Sequence, residues 1–555
     1  MTSLSISSNT EHLPVFEENY DYLQTVDFNN APVDTLPDNI FKNCGALTTV
    51  KSYGNIENIG AYAFYGTKVS DYNFDFSKVK TIGKSAFYHQ YSFNIANVAK
   101  NQFIYIPDNV ESISENAFYN DDERFVYYEG DSATVEYSGS YFYGNVKHTE
   151  SGYYYIDNGT SATLLNYDGK DTRLVVPKTL DSKAVKEVAR YAFYLNGTVE
   201  RVEIPASVTK IGYLAFANCY KLHSLFIPDS VEACGEDIAA RLNHTTAQRP
   251  TVFFKATTFD YEGGITSPDE LDIAKYMVGV FPSDIVDDET CVYLKKTLSV
   301  EVVTIKSDLL TAKIPSSYNL LHVRKINQYA LYGNTLTTVI QIPTSVEKIA
   351  TKAFYSSSSV KIINVPDSVD DVNNNGFYSL SNCTIYVEHK ERPSDWDSSW
   401  YYSVSKVVWD SQAEYATVNG AIYLYETTSN GIYLSKYYGT ITAETPIIIP
   451  EKINGKKVYG VRAYCYQTTS NNSTSSKRYQ FVIPDTITVM EQYAIYLNYS
   501  YSYVNVYVKY ASDSERPANW NSSYVYTYYS GSSYRTFYYK GTWELVDGMP
   551  VVKQQ

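Results

Sequence analysis

The sequence predicts a β-rich α/β solenoid, built from coils of about 23 residues stacked in several blocks with β-hairpin junctions between them. Three observations carry this. A short apolar pattern recurs at a fixed spacing, as stacked structural units do. A longer variant of it recurs at a domain-sized interval. The composition also leans to strand: Met is scarce at 4, Tyr numbers 58, and Leu gives way to Ile, Val and Tyr.

The clearest coil runs from Val199 to Leu222, VERVEIPASVTKIGYLAFANCYKL. Val202 and Ile204 alternate with Glu203, the period of a half-buried strand. Pro205 ends that strand because it offers no N–H to a ladder. Val208 and Ile211 then point inward, Gly212 is read as the turn residue, and Ala215-Phe216 plug the layer. The pattern returns 23 residues later, with Leu225, Ile227, Pro228 and Val231 in matching places. Six prolines (107, 205, 228, 343, 366 and 484) have Ile or Val just before them. Three residues after each stands Val110, Val208, Val231, Val346, Val369 or Ile487; eleven after stands Phe118, Phe216, Phe354, Phe377 or Ile495, with the copy at Pro228 out of step. The core expected from these columns is Ile204, Val208, Ile211 and Phe216 in one coil and Ile342, Val346, Ile349 and Phe354 in another.

A longer form occurs at Pro177, Pro315 and Pro450. Its inward residues lie five positions later (Val185, Val323, Val458), and turn formers Asp181, Asn319 and Asn454 mark the insertion.

At these residues a family resemblance emerges. The pattern L-x-x-V-x-I-P-x-S-V-x-x-I-G-x-x-A-F-x-x-C resembles the BspA-like class of leucine-rich repeats over roughly residues 34–500, less the insertions. The resemblance implies a right-handed solenoid, a setting at a cell surface or outside the cell, and a role in adhesion or recognition without catalysis.

In chain order, residues 1–33 are polar, lack the repeat, and are expected to form an N-terminal cap or attachment segment. Residues 34–150 form the first block; the phenylalanines at 64 and 87 keep the 23-residue step. The second block, 151–285, opens with YYYIDNGTSATLLNY, where Asn158-Gly159 suits a type I′ hairpin turn. Within it TSPDELDIAKYM is expected to be a short helix, with Ser267 as N-cap and Pro268 at its first position. The third block spans 286–411. The fourth, 412–555, opens with a hairpin turning at Asn430-Gly431 and ends in a C-terminal β cap. Blocks three and four end alike, Glu391-Arg-Pro-Ser-Asp-Trp396 matching Glu515-Arg-Pro-Ala-Asn-Trp520, as terminators that shield the last coil's edge.

Chemistry is sparse. The seven histidines are scattered without metal-ligand spacing, and no nucleophile elbow, phosphate loop, zinc motif or dinucleotide fingerprint occurs. The segment Asp371-x-Asn373-x-Asn375-Gly376 imitates a calcium loop, but position twelve is Asn382 in place of a bidentate Glu, so it is read as a repeat turn. None of the six cysteines forms C-x-x-C. No cofactor and no metal are expected. Net charge −15 argues against nucleic acid as partner. No apolar run approaches the ~18 residues of a membrane span.

The N-terminus shows no basic, then apolar, signal segment. A trimmed signal or another route of release, such as assembly into a phage virion, is the expectation that follows.

The aromatic runs point to binding. Trp396, Trp400, Trp520 and Tyr524 carry two readings: rings that fill the junctions between blocks, or candidate ligand contacts suited to stacking on a glycan or anchoring a host protein. The residues between each inward pair (Tyr105, Phe226, Gln341, Asn364, Val482) are expected to face outward as a mixed, lightly charged row.

Overall fold

A computed structural model describes the chain except residues 1, 7–12, 14–21, 29–30, 52–54, 69–74, 89–102, 120–124, 132–134, 137–141, 241–249, 259–266, 268–270, 272–274, 307–308, 335, 469–477, 498–502, 510–512, 528–535, 541–542, 547–548 and 553–555. It is a β-solenoid of about 17 turns, repeating about every 24 residues, with almost no helix. The α component of the expected class is therefore corrected. Among the described residues there is no α-helix, only short 3-10 turns such as Pro282–Asp284 and Asp513–Glu515. Most of the expected helix at 266–277 lies outside the described residues. Its last part, Tyr276–Val278, is a strand that extends a parallel sheet through Val252↔Tyr276.

Each coil has three sides, and every side bonds to the next coil. The first is the strand before the motif proline: Arg201–Glu203 pairs in parallel with Ser224–Ile227 in the register Val202↔Leu225. The second is the two-residue strand Lys210–Ile211, with Ile211↔Cys234. The third carries the plug, where the Phe193 N–H donates to Ala215 O at 2.7 Å and the Phe216 N–H to Ile238 O at 2.7 Å. A three-sided coil of this kind satisfies its backbone between turns, leaving the interior to Val, Ile and Phe. The rings there stack on one another: Phe193–Phe216 at 4.6 Å, Phe64–Phe87 at 5.2 Å and Phe354–Phe377 at 5.0 Å. Ile204, Val208, Ile211, Phe216, Ile342, Val346, Ile349 and Phe354 are all buried.

Gly212 plays a different part from the one expected. Its backbone is not left-handed; a Cβ there would stand 2.3 Å from Arg190 N of the preceding coil. Close approach is what requires glycine. The left-handed residue is Leu214 (φ 53°), and Tyr62, Tyr191, Tyr329, Lys352, Tyr464 and Tyr493 repeat that conformation.

The long coils insert a small hairpin. Thr179–Leu180 pairs antiparallel with the start of Lys183–Val188, turning through Asp181 (φ 44°) and Ser182 (φ 65°). Asn319-Leu320 and Asn454-Gly455 do the same. These are the type I′ turns, with both central residues at positive φ. The Asn158-Gly159 turn is not of that type, since of the two only Gly159 has positive φ.

Blocks two to four each open with an antiparallel meander. In block two it comprises Val146–His148, which lies before the boundary expected at 151, with Tyr153–Asp157 and Ser161–Tyr167, and the last strand pairs in parallel with the long coil's Lys183–Val188. Equivalent strands open block three (Ile285–Asp287, Cys291–Lys295, Ser299–Ile305) and block four (Glu414–Val418, Ala421–Thr428, Gly431–Tyr438). All three carry a register shift at the same place, between Tyr154/Tyr155, Val292/Tyr293 and Leu424/Tyr425.

The N-terminal segment differs from its reading as a repeat-free cap. Ser3–Ser5 and Thr25–Asp27 form a parallel ladder with Thr49–Lys51. Val26, Phe28, Val33 and Leu36 are buried in the first core. This coil lacks the Ile-Pro punctuation that made the others visible.

Candidate functional site

The four aromatic residues singled out as ligand contacts are interior. Trp396, Trp400, Trp520 and Tyr524 expose 1, 2, 5 and 1% of their surfaces. None offers an open ring face, so the ligand-contact reading is corrected, and the rings pack at the block ends as the other reading has it. Their chemistry is that of an end cap, and it follows from one carbonyl column. The carbonyl three residues after the motif proline accepts a bond from the next coil: Ser230 Oγ donates to Val208 O at 2.8 Å and Ser368 Oγ to Val346 O at 2.9 Å; where Phe76 stands in the proline's place, Asn109 Nδ2 donates to Val79 O at 2.7 Å. The last coil of a block has no such successor. In blocks one, three and four an aromatic donor substitutes: Tyr128 Oη to Val110 O at 2.7 Å, Trp396 Nε1 to Val369 O at 3.0 Å, and Trp520 Nε1 to Ile487 O at 3.1 Å. Trp400 and Trp409 close around Trp396, at 4.9 and 6.0 Å. An indole fits because it fills the exposed end of an apolar core and brings an N–H.

The outward row is not a free face either. Phe226 and Asn364 expose 3 and 1% because the next block's opening meander lies on them. Phe226 and Phe253 pack against Val292, Leu294 and Val303 of block three. Asn364 exchanges two bonds with Ala413, Nδ2 to O at 3.1 Å and N–H to Oδ1 at 2.9 Å. Tyr105 meets Tyr154 at 5.4 Å, and the Tyr127 hydroxyl donates to Leu165 O at 3.2 Å. Sheet packs on sheet at every junction, and the mixed composition of the row reflects three different junction partners.

Aromatic surface collects instead along the turn side. The residue after each plug is repeatedly Tyr, and these rings stack from coil to coil. Tyr332–Tyr355, Tyr355–Tyr378 and Tyr378–Tyr402 lie 5.2, 5.2 and 5.1 Å apart, with interplanar angles of 19, 27 and 19°. Block one has Tyr65–Tyr88 at 4.8 Å and Tyr88–Tyr119 at 5.1 Å. The spacing is that of adjacent strands, which sets it. Lys352 sits 5.5 Å from the Tyr355 ring and 5.9 Å from Tyr378, and Lys42 sits 5.0 Å from Tyr62. Tyr402 is 60% and Tyr119 44% exposed, while Tyr355 and Tyr378 are half-buried. Within such a row each ring face covers its neighbour, so edges face solvent. The signal was present in the sequence as A-F-Y, one position beyond the core column.

Other candidate chemistry is occupied structurally. Asp371 of the calcium-like segment pairs with Lys348 at 2.5 Å and accepts from Asn373 Nδ2 at 3.2 Å. Among the described residues, no group of three His, Cys, Asp or Glu is placed to hold a metal ion. All six cysteines are buried; burial pushes the Cys234 thiol up to about 12. No helix among the described residues is long and apolar enough to cross a membrane.

Comparison with known proteins finds the model of the BspA type leucine-rich repeat region in six copies, over residues 2–94, 179–260 and 306–406. No curated protein matches the chain. Among solved structures, a leucine-rich cell surface protein of Faecalibacterium prausnitzii aligns at 16% identity over 70% of this chain and 95% of its own, with a TM-score of 0.18. A leucine-rich repeat protein of Eubacterium ventriosum aligns at 15%, covering 76% and 94%, with a TM-score of 0.23. The pneumococcal vaccine antigen PcpA aligns at 14%, covering 82% and 85%, at 0.20. The repeat model and the motif columns together establish that the chain belongs to the BspA-type leucine-rich-repeat family.

Proposed function

We propose that the chain is a non-enzymatic recognition protein, acting at a cell surface or outside the cell, and that it holds a protein partner along its turn side. One observation carries this reading: the stacked tyrosine row Tyr332–Tyr355–Tyr378–Tyr402 with Lys352 beside it. Tyrosine brings large contact area at low entropic cost, and it is enriched where interface energy collects. Ring edges and hydroxyls in a flat row suit the mixed polar and apolar surface of a protein. They suit a sugar less well, because sugar stacking needs an open ring face.

The test is an array of extracellular-matrix proteins and glycans probed with the intact chain, followed by the double variant Tyr355→Ser/Tyr378→Ser. The reading expects a protein ligand, bound at least about tenfold more weakly by the double variant at an unchanged melting temperature. Full affinity in that variant would remove the turn side as the interface.

A further inference from the structure

A cleft of about 460 Å³ opens at the start of block four, between the hairpin turn at Asn419 and Gly420 and the segment 439–446. Its walls carry two aromatic rings, Tyr423 and Tyr437, and three threonines, Thr440, Thr442 and Thr445, above Ile447. Among the described residues, no charged side chain lines it. The volume lies within the range of small-ligand sites, and the mixture of apolar wall and a few hydroxyls is their usual composition.

The internal repeats supply the comparison. Tyr153 and Tyr167 are paired across the block-two meander as Tyr423 and Tyr437 are in block four. In block two the connection 168–172 is short, and it closes on the tyrosine: the Tyr167 hydroxyl donates to Asp171 Oδ2 at 3.0 Å and accepts from the Asp171 N–H at 3.2 Å. In block three the paired positions are Cys291 and Ile305, which offer no ring. Block four combines the ring pair with a longer connection, 439–446, that is rich in Thr. Its Tyr437 hydroxyl donates to the Thr440 carbonyl at 3.5 Å, with no acid bonded to it among the described residues. Among the described residues of the three openers, the fourth block's combines the two rings with threonine hydroxyls; the connection's own acid, Glu444, does not line the cleft.

We infer that this cleft binds a neutral sugar unit, such as the terminal residue of a glycan. A pyranose has an apolar C–H face and a rim of hydroxyls, so it needs an aromatic wall and uncharged hydrogen-bonding groups together. An acidic sugar would call for a cation, and the cleft has none. The Tyr437 ring, supported by Tyr466 at 5.1 Å and Tyr423 at 5.2 Å, supplies the wall. Thr442 and Thr445 supply the polar rim.

The inference does not rest on the tyrosine row of the turn side. Its test is saturation-transfer NMR and calorimetry on the full chain with methyl β-glucoside, methyl β-galactoside, N-acetylglucosamine and, as a charged control, N-acetylneuraminic acid. At least one neutral sugar binds, and Thr442→Val/Thr445→Val weakens it by about tenfold or more; because Thr442 Oγ1 also accepts from the Thr445 N–H at 3.2 Å, Thr445→Val alone is the variant that weakens binding with an unchanged melting curve. Tyr437→Phe keeps the wall and retains binding within about threefold, whereas Tyr437→Leu loses it. Tyr355→Ser/Tyr378→Ser leaves sugar binding intact, which separates this site from the protein-binding row. Absence of binding by every neutral sugar, binding of the acidic sugar alone, or unchanged affinity in the threonine double variant overturns the assignment.

Discussion

At the scale of single residues, the repeat explains which polar groups matter. Ser368 and Ser345 occupy the same motif position, two after the proline, yet only Ser368 finds the preceding coil's carbonyl. Ser345, like Ser207 and Thr486, follows a long coil whose hairpin replaces that carbonyl turn, and these three enclosed oxygens have no hydrogen-bond partner. Ser368→Ala is therefore expected to destabilise by about 1 kcal/mol, and Ser345→Ala to leave stability unchanged or slightly raised. Urea melts of the two variants check this within one protein. Gly212→Ala is expected to cost about 1–3 kcal/mol, because the added methyl meets the Arg190 backbone and not a movable side chain. Phe216→Ala or Phe354→Ala, each deleting a ring from a stacked column, should cost about 3–5 kcal/mol.

At the scale of elements, the junction between blocks two and three holds an unusual charge. Lys275 lies beside the strand Tyr276–Val278 and is enclosed. Its Nζ reaches Thr304 Oγ1 at 2.8 Å on the opening meander of block three, and Thr304 in turn meets Thr251 Oγ1 at 2.9 Å. Nearby, Asp287 accepts from Lys306 at 3.2 Å and Arg173 at 2.6 Å, so that carboxylate is already shared. Burial brings the Lys275 ammonium down from 10.5 to about 7. The unfolded chain keeps its proton up to about 10.5, so between these values it binds more protons than the native state, and stability rises with pH. Below about pH 7 both states are charged and the burial cost is felt in full. Lys275→Met is expected to stabilise by about 1–4 kcal/mol at pH 6 to 7, with the gain shrinking towards pH 10. Thermal melts across that range decide it; a gain independent of pH would show that packing, not charge, is responsible.

At the scale of the whole molecule, each block is a core of its own closed by a different device. In blocks three and four the opening meander seals one end and lies on the previous block, while Trp396 or Trp520 seals the other. Stability of such an array is a sum of blocks and interfaces, so single interfaces can be cut. Asn364→Ala removes both bonds to Ala413 and is expected to weaken the junction of blocks three and four by about 1–3 kcal/mol. Calorimetry should then resolve the transition of residues 413–555 from the rest. Trp400→Ala should lower stability while leaving partner binding unchanged, because its ring faces Trp396, Phe377 and Trp409 inside the block.

The sequence alone determined the coil: which residues point inward, where the strand stops at Pro205, the five-residue insertion after Pro177, Pro315 and Pro450, and the family. These are local matters of period and backbone geometry, readable because every coil repeats the same constraint. The first coil is not legible in the sequence because Phe28 and Val33 stand there without the Ile-Pro signature. Only the tertiary structure decided what each face meets. A strand shows that Phe226 and Asn364 point away from their own core, yet whether water or the next block lies there depends on how the following meander folds back. Aromatic runs likewise show that rings must gather somewhere. Trp396 went inside because the last carbonyl of the column needed a donor, and Tyr355 and Tyr378 stayed near the surface because the strand spacing let each shelter the next.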